Sequence, residues 1–234
     1  MFDFLRKSQL WDALDVGVLA EINGEAHFNL ITAQSAVMNH LLRDVTESRV
    51  AEIGGGNGLD ILSGLAYHND CTYIDKLDGS YGGPKTAKER DGVINVKAKM
   101  GEFDSKLDES SFNVIFSISL VEHLKLDQIH DFFTDCTRIL KPGGTMLHMF
   151  DFYLPDTCST SELERFHHYR NLAGDISNVE PLAAIFEGPP KLSATMVTNP
   201  DHVMYSYGRF SKTMIPFRQR AQAASLILGL RKTQ

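Results

Sequence analysis

The sequence predicts an α/β fold built on a doubly wound, mostly parallel sheet, and three observations predict it. Short apolar runs recur at strand length near residues 48–53, 71–74, 93–96, within 111–124 and at 145–150, separated by helix-period or turn-rich segments. The first run passes straight into Gly54-Gly55-Gly56-Asn57-Gly58 and then into an amphipathic stretch, the order strand, tight turn, helix. The second run ends on Asp75, about 20 residues beyond the turn, where sheets of this class hold ligands outside the carboxyl ends of their strands.

Two candidate helices precede the Gly-rich turn. Residues 9–22 place Leu10, Leu14, Val18 and Leu19 at helical spacing, and residues 31–43 repeat the pattern with Ile31, Val37, Leu41 and Leu42. The polar connector between them brings His27 and Phe28, which either pack on the sheet or border a site. At the Gly-rich turn, glycine tolerates positive φ and lets a ligand approach the backbone. The helix that follows presents unpaired N–H groups beside that ligand. Asp75 offers acceptors to two neighbouring hydroxyls, and Asp78 takes that place if the strand runs longer. Residues 79–92 are rich in glycine and charge and read as a loop with at most a short helix.

A turn, Gly101-Glu102-Phe103-Asp104, follows the third strand. Ser117 and Ser119 stand at the ligand end of the fourth. Residues 127–140 form the clearest helix, with Ile129, Phe132, Phe133, Cys136, Ile139 and Leu140 on one face, ended by Lys141-Pro142-Gly143-Gly144. Strand 145–150 leads to Asp151. Ser159-Thr160-Ser161-Glu162 is a capping box opening a helix that carries Phe166, His167, His168 and Tyr169. Leu163, Phe166 and Tyr169 share a face, so His167 and His168 cannot both be buried with them. A polar turn with His202 enters a strand at Tyr205, and residues 224–230 suit a closing antiparallel strand.

The 234 residues are enough for one large domain with a good core. An apolar fraction of 43% and a charged fraction of 23% are ordinary globular values. A net charge of -7 with no basic cluster argues against nucleic acid as the main partner. Cys71, Cys136 and Cys158 are odd in number and make no CxxC pair, which suits reduced thiols in a cytoplasmic protein. No signal peptide or membrane-spanning run is expected.

Three motifs, in order, carry a family resemblance. The first is Glu52-Ile53-Gly54-Gly55-Gly56-Asn57-Gly58. The second runs from Phe112-Asn113 to Glu122-His123-Leu124. The third is Arg138-Ile139-Leu140-Lys141-Pro142-Gly143-Gly144. Together they resemble the class I S-adenosylmethionine-dependent methyltransferases over residues 48–150. Leu59 stands where the dinucleotide fingerprint needs its third glycine, which disfavours an NAD-dependent oxidoreductase. The resemblance implies a Rossmann-like seven-stranded, mostly parallel sheet with helices on both faces and one antiparallel strand near the C-terminus. It implies a single methyltransferase domain over 1–234: N-terminal helices or lid (1–45), cofactor-binding core (48–150), acceptor-binding insertion (151–200) and closing strands (201–234).

By the same resemblance the cofactor is S-adenosylmethionine, held by Glu52, Gly54, Gly56, Gly58, Asp75, Glu102, Phe103 and Ser117. Glu102 and Phe103 stand where the family places an acid and an apolar residue near the adenine. Asn113 replaces the family's aspartate at the far end of its strand, and residues 79–92 replace a regular helix. His148-Met149-Phe150-Asp151 resembles a pattern of some glycan-pathway methyltransferases. The acceptor is then a small molecule or a sugar-like compound methylated at oxygen, with His148, Asp151 or His167 as base. Ser117-Ile118-Ser119-Leu120, in place of an Asn/Asp-Pro-Pro-Tyr box, speaks against DNA and glutamine methylation. No metal is expected, since no close ligand spacing is present. A methyltransferase fold that binds without turnover is the alternative.

Overall fold

Strands that are buried on both faces read as continuous apolar runs rather than alternating ones, and this chain supplies several. The computed structural model describes residues 2–4, 30–55, 60–80, 83–155, 160–182, 204–205 and 221–234. β1 (Phe2–Phe4) is followed by β2 (Arg49–Ile53), β3 (Asp70–Asp75), β4 (Val93–Lys97), β5 (Phe112–Ile118) and β6 (Leu140–Pro155). β7 (Val179–Pro181), β8 (Met204–Tyr205) and β9 (Ala221–Lys232) complete the described strands. The order across the sheet is β1-β9-β6-β5-β2-β3-β4, with β7 and β8 also paired to β9. Pairing is parallel from β6 through β4, and β9 runs antiparallel to β6 and β1. The expected seven-strand path, mostly parallel with an antiparallel strand near the C-terminus, is the observed one. β4 is the edge, which leaves Ile94 exposed.

β6 is longer than the predicted 145–150 because β9 pairs with it from Thr145 to Pro155. That lends the strand a full ladder of hydrogen bonds where local sequence offers no stop signal. β8 pairs with β9 through Met204 and Tyr205, but the principal partner of β9 is β6.

α1 (Leu30–Leu42) and α2 (Ile61–Leu65) cover one face, and α3 (Leu126–Ile139) and α4 (Thr160–Asp175) the other. The first face packs Val37, Met38, Leu42, Ile61 and Leu62 over Val50, Val114 and Phe116. The second packs Phe132, Phe133, Cys136, Phe166 and Tyr169 over Ile115, Met146 and Phe150. Each fully buried side chain of this size stabilises the fold by about 1.5–3 kcal/mol. The predicted helix at 9–22 and Cys158 lie outside the described residues. Cys71 and Cys136 are buried free thiols. Among the described residues no helix is long and apolar enough to cross a membrane.

The chain crosses outward from β2 to β3 and β4 on one side, then returns to β5, β6 and β9 on the other. The strand order therefore reverses between β2 and β5, and a crevice opens at their carboxyl ends.

Candidate functional site

A cleft of about 360 Å³ occupies that crevice, within the size range of ligand sites. The ends of β2, β3 and β5 supply its floor: Ile53, Gly54 and Gly55, then Ile74 and Asp75, then Ile118 and Ser119. Ala98, Lys99 and Met100 form one wall. His123, Lys125 and Gln128, from the turn after β5 and the start of α3, form another.

Gly54 leaves β2 with φ +63, a conformation that favours glycine. A Cβ there would sit 2.7 Å from Leu120 Cδ1. A Cβ on Gly55 would fall on the Glu52 carboxylate. Glu52 is thus tucked directly behind the turn, 5% exposed. Burial pushes its carboxyl up to about 7, with the Arg90 guanidinium pulling the other way. Gly56 and Gly58 lie outside the described residues.

Asp75 ends β3 in the cleft wall. Its Oδ1 accepts from Leu77 N at 2.6 Å, which fixes the carboxylate by its own backbone. The Tyr73 hydroxyl, on the same strand face, lies 3.1 Å from Asp75 Oδ2 and 2.7 Å from Gly55 O. It joins the acid to the Gly-rich turn. Sequence reasoning missed Tyr73, although its position two residues before Asp75 places it on the same face of the strand. Asp78, the alternative acid, is exposed and also borders the cleft.

Glu102 and Phe103 do not line the cleft; this corrects the expectation placed on them. Asp135 of α3, 0% exposed, accepts from Gly101 N at 2.8 Å and Phe103 N at 3.1 Å. It thereby holds the turn against the helix. Phe103, with φ +54, projects to solvent at 44% exposure, and Glu102 pairs outward with Lys99 at 2.7 Å. The cleft wall instead uses the preceding residues, Ala98 to Met100.

Ser117 is a second correction. It is fully buried, and its Oγ lies 2.8 Å from His148 Nδ1; Ser119, two residues on, is the serine that reaches the cleft. His148 is fully buried too, so it cannot take a proton from a molecule in the cleft. Its ring packs edge-on against Phe132 and Phe133, and burial pushes its pKa down to about 3. His167 is half-buried on α4 beside Phe166 and is not among the cleft-lining residues. Asp151 sits behind the wall, accepting from Gln34 Nε2 at 2.8 Å. The three candidate bases are therefore not brought together at the cleft.

A buried network takes their place behind it. Gln34 of α1 donates to Asp151 and to Ser225 Oγ, both at 2.8 Å, and accepts from Ser119 Oγ at 2.7 Å. Ser119 has φ +49. Burial and the nearby Asp151 hold the Glu122 carboxyl well above the usual range. His123 borders the cleft, and partial burial and Lys76 lower its pKa, which favours the neutral imidazole.

The methyltransferase domain family matches residues 51–148. A ubiquinone biosynthesis O-methyltransferase of Maricaulis maris is 28% identical over 102 residues, which span 42% of this chain and 39% of that protein. The match thus covers well under half of that curated relative. Among solved structures, phosphoethanolamine N-methyltransferase 2 of Haemonchus contortus with bound S-adenosylmethionine aligns with a TM-score of 0.52. Its identity is 17%, over 84% of this chain and 52% of that one. N-methyltransferase NodS of Bradyrhizobium japonicum with S-adenosylhomocysteine aligns at 0.52 and 13% identity over 97% and 100% of the two chains. Geranyl diphosphate C-methyltransferase of Streptomyces coelicolor aligns at 0.52 and 14% over 84% and 80%. These likenesses show the fold.

Proposed function

We propose that the protein, whose residues 51–148 match the methyltransferase domain family, transfers a methyl group from S-adenosylmethionine to oxygen of a small-molecule acceptor. The carrying observation is the cleft at the topological switch point, where Gly54, Gly55 and Asp75 meet. Asp75 accepts from the ribose hydroxyls, the Gly-rich turn approaches the methionine part, and Ala98 to Met100 cover the adenine. Ser119 and His123 would then border the sulfonium end of the donor. The likeness to the O-methyltransferase of Maricaulis maris, over 39% of that protein, supports oxygen as the methylated atom.

The donor is already activated, so the protein's main task is to hold the acceptor oxygen in line with the methyl group. As the oxygen attacks, the bond from methyl carbon to sulfur breaks, and the sulfur keeps the electron pair. A hydroxyl acceptor gains from loss of its proton. His123, neutral on the cleft wall, takes that role in this reading in place of His148. Asp151 and Glu122 act from behind the wall by fixing Ser119 through Gln34 and the turn after β5.

Calorimetric titration with S-adenosylmethionine and S-adenosylhomocysteine, with NADH and NADPH as controls, tests the reading. Micromolar binding of the two sulfur compounds alone is expected. Product mass after incubation with hydroxylated acceptors then tests the transfer, and a gain of one methyl group, reduced in His123→Gln, is the expected result. Binding of the nicotinamide cofactors alone overturns the reading. Donor binding with no transfer to any acceptor favours a non-catalytic binding role.

A further inference from the structure

Residues 83–92 lead back from β3 to β4, and the last of them turn a charge inward. The Arg90 side chain is 8% exposed. Its Nη1 lies 3.2 Å from Asp60 Oδ1 and 3.6 Å from Glu52 Oε2. The guanidinium stands 4.7 Å from the centroid of the Tyr73 ring, and its Nε is buried with no hydrogen-bond partner among the described residues. Lys88 reaches the other oxygen of Asp60 at 3.1 Å. Asp60 in turn caps α2 by accepting from Ser63 N at 3.2 Å.

Glu52 and Asp60 stand at the two ends of the Gly-rich turn. One cation, buried behind that turn, therefore touches the acid before it and the acid after it. The same guanidinium stacks on Tyr73, whose hydroxyl meets Gly55 and Asp75. Two carboxylates drawn together repel unless a cation lies between them, and the planar fork of arginine suits that bridge better than a lysine ammonium.

We propose that Arg90 is a positioning residue of the cofactor site: by gripping Glu52 and Asp60 while stacked on Tyr73, it fixes the two acids relative to Gly54, Gly55 and Asp75 and hence the fit of the donor. The proposal rests on the reading of the cleft as a donor site. The groups facing Glu52 are Arg90, Asp60 and Asp75, with the Tyr73 hydroxyl beside them and Lys88 on the far side of Asp60. Arg90 grips Glu52 when that carboxylate is ionised. Because burial holds its pKa near 7, the grip weakens as pH falls through neutrality. Removing the guanidinium removes a lowering influence, so Glu52 keeps its proton to higher pH.

The test is calorimetric titration of the full chain with S-adenosylhomocysteine from pH 6 to 8.5, for wild type, Arg90→Lys, Arg90→Ala and Asp60→Asn, each checked by circular dichroism. Wild type is expected to bind more tightly at pH 8 than at pH 6. Arg90→Ala is expected to lose about tenfold or more in affinity at pH 8, the scale of a charged hydrogen bond, with the pH dependence moved to higher pH. Arg90→Lys restores part of the loss, and Asp60→Asn, which keeps the cap, weakens binding a few-fold. No binding by wild type sinks the donor-site reading itself. Wild-type binding matched by Arg90→Ala over the whole range overturns the positioning role alone. So does a loss with an unmoved pH profile that lysine fails to rescue, which marks a merely structural arginine. Should Arg90→Ala fail to fold, unchanged affinity and pH profile in both Arg90→Lys and Asp60→Asn overturn the proposal.

Discussion

The two halves of the cleft are built differently. The half at the ends of β2 and β3 is made of near neighbours: Glu52, Gly54, Gly55 and Asp60 lie within one strand–turn–helix unit, and Tyr73 and Asp75 end the next strand. Its polar groups are titratable side chains, the buried Glu52 and the exposed Asp60 against the buried Arg90. The half at the ends of β5 and β6 is assembled from four distant parts of the chain, since Gln34, Ser119, Asp151 and Ser225 meet there through hydrogen bonds spanning up to 191 residues. Its links run through an amide, two hydroxyls and the Asp151 carboxylate. A charged unit of local origin keeps its geometry as one piece. The dispersed network holds only while α1 stays docked on the sheet and β9 stays paired to β6, so it couples that side of the cleft to packing.

Four substitutions break or sharpen that contrast, taken from the largest expected effect to the smallest. Gly54→Val forces a β-branched residue into φ +63 against Leu120. Affinity for S-adenosylhomocysteine is expected to fall by about 100-fold or more, read by calorimetry. Gln34→Ala strips Ser119 Oγ of an acceptor and Asp151 of a donor. Stability in urea should fall by about 1–3 kcal/mol, while donor affinity stays within a few-fold. A loss of donor affinity as large as that of Gly54→Val shows that the two halves are not separable.

His148→Gln tests the buried partner of Ser117. The wild-type imidazole stays neutral in the fold down to about pH 3, whereas in the unfolded chain it protonates below about 6.5. Its contribution to stability is therefore present above 6.5 and lost as pH falls from there toward 3. The variant removes that loss, so the slope of stability against pH in this window is expected to flatten by up to about 1.4 kcal/mol per pH unit. Denaturation at pH 4, 5 and 6 reads it, and an unchanged slope means that His148 is protonated in the folded state. Last, Glu102→Ala removes one partner of an exposed ion pair and should change stability by no more than about 0.5 kcal/mol. Donor affinity is expected to hold; a tenfold loss returns Glu102 to the site.

Much of the fold was legible because its signals are short-range. The apolar runs, the Gly-rich turn and the Lys141-Pro142-Gly143-Gly144 stop each lie within a few residues, and β2 to β4 and α3 fall within a residue or two of their predicted ends. Asn113 sits where the reading placed it, at the start of β5, accepting from Arg49 N and Lys141 Nζ away from the cleft. The errors have a common cause. Ser117 and Ser119 are equivalent by alternation, and only the packing of Phe132, Phe133 and His148 decides that Ser117 points inward. Glu102 and Phe103 fit the family pattern, but Asp135, more than 30 residues away, turns their backbone. Arg90 carried no motif, because its partners lie 30 and 38 positions earlier in the chain.

The sequence by itself determined the class of sheet, the place of the Gly-rich turn and the acid at the end of β3, because strand period, glycine backbone freedom and turn chemistry act between neighbours in the chain. Only the tertiary structure decided which side chains reach the cleft. Burial and hydrogen-bond partners come from other elements: α3 withdraws Glu102 and Phe103, β6 withdraws His148, and Arg90 is drawn in behind the turn. The direction of a side chain is set by what packs against it, and that information is spread over the whole fold.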